Sequence, residues 1–114
     1  MYVRTVKITF KDKMSKDMFV NYTDTKADAD GIKNGTLMKL IFSNSDVIAT
    51  LVLIFPDHKT FMKDHNKLAG PIIESFKEQG LKIDLNDGEV LGATAVSSKF
   101  LETLTKKATF YKND

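Results

Sequence analysis

The chain opens on a strict alternation. In Tyr2–Phe10, Val6, Ile8 and Phe10 share one face while Thr5, Lys7 and Thr9 share the other, the period of two that a β-strand imposes. By that parity Arg4 falls on the apolar face. The period then changes. Met14, Met18, Phe19 and Tyr22 recur at helical spacing behind Ser15, a good N-cap, which predicts a helix over about 16–29 that Asp30-Gly31 ends. Thr36–Phe42 and Val47–Phe55 read as two further strands. The polar cluster Ser43-Asn44-Ser45-Asp46 between them predicts an antiparallel hairpin.

Pro56-Asp57 stops the hairpin, and Asp57 is placed to cap a second helix. Its apolar stripe is wide: Phe61, Met62, His65, Leu68, Ala69, Ile72, Ile73 and Phe76. Gly70-Pro71 falls inside it. A proline there lacks an N–H and crowds the preceding turn, so a kink or break is predicted. Gly80 ends the helix. Leu81–Leu85 reads as a strand, Asn86-Asp87-Gly88 as a turn and Val90–Val96 as another strand, with one long bulged strand over 81–96 as the alternative. Ser98 is placed to cap a last helix over about 99–111, burying Phe100, Leu101, Leu104 and Ala108.

The order is β-α-β-β-α-β plus a C-terminal helix. It predicts an α+β, ferredoxin-like antiparallel sheet with helices on one face, as a single domain over 1–114 in which 98–114 is a C-terminal helical extension. One feature of the pattern is unusual for that arrangement. The third strand is apolar on both faces, and the second carries Leu37 and Ile41 on one side with Met38, Leu40 and Phe42 on the other. A second apolar face must be covered. A second copy packed sheet to sheet predicts a homodimer; the C-terminal helix folded over that face is the alternative.

Composition narrows the chemistry. The 114 residues include no cysteine and no tryptophan, so disulfides, thiolate catalysis and Cys-ligated metal sites are excluded. Lys+Arg is 17 against Asp+Glu 15, a formal net charge of +2, too balanced to signal a polyanion partner. Arg4 is the only arginine, which argues against nucleic-acid readout. No apolar run approaches the ~20 residues that span a bilayer, and no leader pattern opens the chain, so no membrane partner and a cytoplasmic location are expected.

The element order, the doubly apolar hairpin and the stretch from Ile54 through Pro56-Asp57 to His65 resemble the dimeric α+β barrel superfamily, in its antibiotic-biosynthesis-monooxygenase-like (ABM-like) branch. The resemblance spans residues 1 to about 96. In that family a strand commonly runs through a short turn into a helix with a histidine about two turns in, and His65 stands at that place. The resemblance implies a ligand cavity between sheet and helices, and an activity among cofactor-independent oxygenases of polycyclic phenols, haem-degrading enzymes, small isomerases and decarboxylases. Haem-degrading members pair the helix histidine with a tryptophan and a first-strand asparagine. This chain has neither, so no cofactor is expected.

Three residues emerge as candidates for a site on a small, partly apolar molecule. His65, within the apolar stripe, suits a general base or orienting group facing the cavity, or a core-edge histidine bonded to backbone. Arg4 must find an acceptor if buried: an acidic neighbour, or a ligand carboxylate or enolate that it clamps. Tyr22 either donates a hydrogen bond into the same cavity or packs its ring with its hydroxyl in water. No metal site is expected. His58 and His65 lie nearly two turns apart, roughly 10 Å along a helix axis, too far to share an ion. The acidic run Asp24, Asp28 and Asp30 before Gly31 fails as a calcium loop because Lys26 and Leu37 occupy the positions that need carboxylates. A non-catalytic binding module and a structural or regulatory dimer with a filled core remain as alternatives to an enzyme.

Overall fold

The computed structural model describes residues 1–111; positions 112–114, the end of the expected C-terminal extension, lie outside the described residues. Four strands form one antiparallel sheet in the order β2-β3-β1-β4: β1 (Tyr2–Thr9), β2 (Met38–Ser43), β3 (Ile48–Phe55) and β4 (Lys82–Glu89). Two long helical runs cover one face. The first is α1 (Lys13–Tyr22), which passes through a π-helical turn (Thr23–Ala27) into α2 (Asp28–Lys33). The second is α3 (His58–Asp64), a π-helical turn (His65–Ala69) and α4 (Gly70–Glu78). A short helix, α5 (Ser97–Thr105), comes after β4. This is the predicted ferredoxin-like order.

The core forms where the two periods meet. Val6, Ile8 and Phe10 of the first strand region, Phe19 of α1, and Ala49 and Leu51 of β3 are buried together, with Phe76, Leu81 and Ile83 packed against them. Phe10, Phe19 and Phe76 stack in sequence at centroid distances of 5.4 and 5.5 Å, edge or tilted, which suits their quadrupoles. The buried Lys16 reaches from α1 to donate to Ser43 Oγ and the Ser45 carbonyl, both at 2.7 Å, tying the helix to the hairpin turn.

Several local expectations are corrected. Asp12, not Ser15, caps α1: its carboxylate accepts the Ser15 N–H at 2.7 Å. Asp30-Gly31 does not end the run, which continues to Lys33. It stops at Gly35, whose φ of +103° is the left-handed conformation a helix end needs. Met14 and Met18 are exposed, so only Phe19 of that stripe is buried. Asn86-Asp87-Gly88 is no turn. All three pair with β1, opposite Thr5, Arg4 and Val3, in a register without a bulge, and Val90–Val96 forms no strand. An edge strand tolerates a glycine there because only one ladder depends on it. Ser98 caps nothing. α5 starts at Ser97 behind Val96 and ends at Thr105, and Phe100 and Leu101 are exposed.

Asp57 caps α3 as predicted, accepting the Thr60 N–H at 2.7 Å. The irregularity expected at Gly70-Pro71 takes the form of the π-helical turn before it. The Gly70 N–H donates to the His65 carbonyl, one residue further back than in an α-helix. The widened turn relieves the crowding that Pro71 would impose on the carbonyl four residues before it, so the helix continues.

The other face of the sheet is open. Met38, Leu40 and Phe42 of β2 lie opposite Ile54, Val52 and Thr50 of β3, and Leu40 and Phe42 are 44% and 46% exposed. No helix among the described residues is long and apolar enough to cross a membrane.

Candidate functional site

Between the sheet and the two helical runs lies a cavity of about 440 Å³. Val6, Ile8, Leu51 and Leu53 form its floor. Phe19, Ile73 and Phe76 form part of its helical wall. Arg4, Asp64, Tyr22 and Thr23 are among its polar lining residues. Both π-helical turns flank this cavity: Thr23, Asp24 and Ala27 come from one, Leu68 and Ala69 from the other. Such turns shift the side chains beyond them out of α-helical register, a frequent feature of functional sites.

Arg4 is 4% exposed, on the helix-side face of β1 that the alternation assigned to it. Its acceptor is Asp87, its cross-strand neighbour on β4. Nε donates to Oδ1 at 2.7 Å and Nη2 to Oδ2 at 2.8 Å, a bidentate pair. Nη1 donates to His65 Nδ1 at 2.9 Å, and the guanidinium lies over the Phe61 ring at 4.5 Å. A guanidinium has five N–H donors, and this arrangement uses three. The remaining two are free of these partners, on a residue that lines the cavity.

His65 is half-buried at the start of its π-helical turn, its ring stacked with Phe61 at 6.1 Å. An arginine can only donate, so Nδ1 carries the lone pair and the neutral ring holds its proton on Nε2. The ring faces Arg4 and is not among the cavity-lining residues. Tyr22 is half-buried and lines the cavity. His58 is exposed, edge-on to Tyr2 at 4.9 Å. No group of three potential ligands among the described His, Asp and Glu residues is placed to hold a metal ion.

Asp64 was not singled out by sequence. It is 4% exposed and lines the cavity. Its one side-chain partner among the described residues is Asn34, whose Nδ2 donates to Oδ1 at a long 3.4 Å. Burial pushes its pKa upward; the Asn34 hydrogen bond and the charge of Arg4 act in the opposite direction without cancelling it. The signal was present: Asp64 lies three residues after Phe61 and four before Leu68, so a carboxylate stands on the buried stripe. Elsewhere along the lining, Lys39 Nζ bridges Asp28 at 2.9 Å and Asp24 at 3.3 Å. Burial also raises the Asp28 pKa, against the opposing Lys39 hydrogen bond and charge.

By sequence, no family model and no curated protein matches the chain. Solved structures do. A dimeric ferredoxin-like protein from an uncultured marine organism superposes with a TM-score of 0.63 at 14% identity, covering 83% of this chain and 98% of its own. A Deinococcus radiodurans protein assigned to the antibiotic biosynthesis monooxygenases gives 0.65 at 14% identity, covering 84% and 98%. The fold is that of the ABM-like, dimeric ferredoxin-like proteins. SnoaB, a cofactor-independent oxygenase from Streptomyces nogalater, shares it with a TM-score of 0.56 at 11% identity, covering 81% of this chain and 95% of SnoaB. These matches use up nearly all of each ABM-like neighbour and leave part of this chain over. Identities this low establish the architecture alone.

Proposed function

We propose that the cavity holds a small, planar, hydroxyl-bearing aromatic molecule, and that the protein is an ABM-like oxygenase working without a resident cofactor. The observation that carries this reading is the buried, scarcely bonded Asp64 carboxylate, which lines the same apolar chamber as Arg4 and feels its charge. The Asp64 carboxylate takes the hydroxyl proton. The O–H electron pair stays on the ligand oxygen and spreads into the ring, and the two spare Arg4 N–H groups face that charge. His65 acts as the orienting group, holding Arg4 through Nδ1; Tyr22 is a second donor. Dioxygen is the oxidant. A ring C–H becomes C=O, the phenolic C–O becomes C=O, and the second oxygen atom leaves as water with both hydrogens.

Naphthol and its methyl ether test the site. We expect naphthol to bind about tenfold more tightly, a difference of about 1.4 kcal/mol, and Asp64→Asn to erase that preference. The pH sign is set by the direction of the shift. Binding needs the ionised carboxylate, and the folded pKa of Asp64 is raised, so affinity falls on acidification starting above the ordinary Asp range. The asparagine variant lacks that limb. Equal affinities for the two compounds in calorimetry would sink the reading. Saturable oxygen uptake with naphthol separates an enzyme from a binding module, which binds without uptake.

The same proposal includes a homodimer through the open sheet face. The exposure of Leu40 and Phe42 beside Val52 and Ile54 supports it, as do the fold neighbours described as dimeric. Leu40→Asp with Phe42→Asp should convert a dimer to a monomer in sedimentation without unfolding it. A wild-type chain that sediments as a monomer would refute the second copy.

A further inference from the structure

The segment after β4 is poorly held yet touches the cavity. Its last backbone tie to the sheet among the described residues is Val90 N–H to the Met1 carbonyl at 2.9 Å. Beyond it, Leu91 is 96% exposed and 91–96 forms no regular structure. Seven extended residues over 90–96 reach roughly 20 Å, enough to carry α5 back across the molecule. α5 has no side-chain cap at its N-terminus, and its side-chain hydrogen bonds among the described residues, from Thr103 and Thr105, are internal. A helix this short is marginal without packing. Only Leu104, in the last turn of α5, and Ala108, just beyond it, are half-buried in 97–111, and both line the cavity. Phe110 and Tyr111 line it too.

We infer that residues 97–111 form a strap across the cavity mouth, closed over a bound ligand and easily opened without one. The inference rests on the cavity being a ligand site. The body fixes the floor and walls with buried core residues, whereas the strap is held chiefly where it meets the cavity. Its local opening therefore lies at the low end of the stability range. A ligand that fills the chamber offers apolar surface to Leu104, Ala108, Phe110 and Tyr111. That contact exists only in the closed state, so binding shifts the population toward closure.

Hydrogen exchange on the full chain tests the strap. Saturation with naphthol should slow amide exchange across 97–111 by about fivefold or more, while exchange in β1 and β3 stays as it was. Leu104→Glu should speed naphthol dissociation about tenfold and leave Tm unchanged, because Leu104 is outside the core cluster. Unchanged exchange over 97–111, or an unchanged dissociation rate in the variant, would overturn the inference. A second measurement needs no ligand. The chain has no tryptophan, so Tyr111→Trp supplies a single reporter. Acrylamide should quench it more strongly when Leu104→Glu is added. Equal quenching rules out a seated strap whether or not the cavity binds naphthol, whereas a seated strap on a chain that ignores naphthol overturns the ligand site and the closing role with it.

Discussion

Asp87→Ala should destabilise the protein by about 2–3 kcal/mol, a fall in Tm of roughly 10 °C for a chain of this size. Arg4→Met should cost about 1 kcal/mol. The asymmetry comes from where the two charges sit. The Arg4 side chain is 5% exposed and the Asp87 side chain 26%. Removing the carboxylate strands a guanidinium inside the fold with His65 Nδ1, the Phe61 ring and the more distant Asp64 charge as partial compensation. Removing the guanidinium leaves Asp87 on an edge strand, where its carboxylate turns to water. Met refills the space of the aliphatic stem. The partial exposure of Asp87 keeps the expected loss at the lower end of the range for broken buried pairs. The double variant should be no worse than Asp87→Ala alone, because the charge that needed a partner is gone. Thermal and urea unfolding of the three variants decide this; an Arg4→Met loss as large as that of Asp87→Ala would contradict it.

Gly70→Ala should also destabilise, by about 1–3 kcal/mol, against the usual gain of about 1 kcal/mol for alanine in a helix interior. The new Cβ would stand 2.7 Å from the His65 carbonyl oxygen and 3.3 Å from His65 Nε2. That oxygen accepts the Gly70 N–H closing the π-helical turn, so it cannot withdraw without losing the bond. The ring cannot withdraw without leaving Arg4. A local clash thus reaches the cavity through His65. Tm, His65 ring chemical shifts and naphthol affinity should change together. Gly92→Ala, whose added Cβ meets nothing within 4 Å, serves as the neutral control. A Tm gain for Gly70→Ala would show that the turn relaxes freely.

Much of the architecture is local and was therefore readable. The alternation of β1 placed Arg4 on the buried face. The polar cluster between two apolar runs marked the β2–β3 hairpin, and Asp57 announced its helix. Where local signals failed, a tertiary partner outweighed them. Asp87-Gly88 has turn chemistry, but pairing with Arg4 and Val3 holds it extended. The apolar stripe of α5 suggested a buried helix, yet Phe100 and Leu101 meet no core.

The candidate site divides the same way. Local pattern was enough to say which residue types stand on buried faces: Arg4 on β1, His65 and the overlooked Asp64 on the long helix. Period and capping act over a few residues, so a short window suffices to read them. How those residues act on one another came from the folded arrangement. Arg4 meets His65 and Asp87 across 61 and 83 residues of chain, and the register of β4 against β1, with a π-helical turn on the facing helix, brings the three together. The depth of Asp64 in the chamber, and hence the upward shift of its pKa, depends likewise on walls built from distant segments, against the opposing hydrogen bond from Asn34. Burial and charge pairing are properties of three-dimensional neighbours, and a single chain read in order does not contain them.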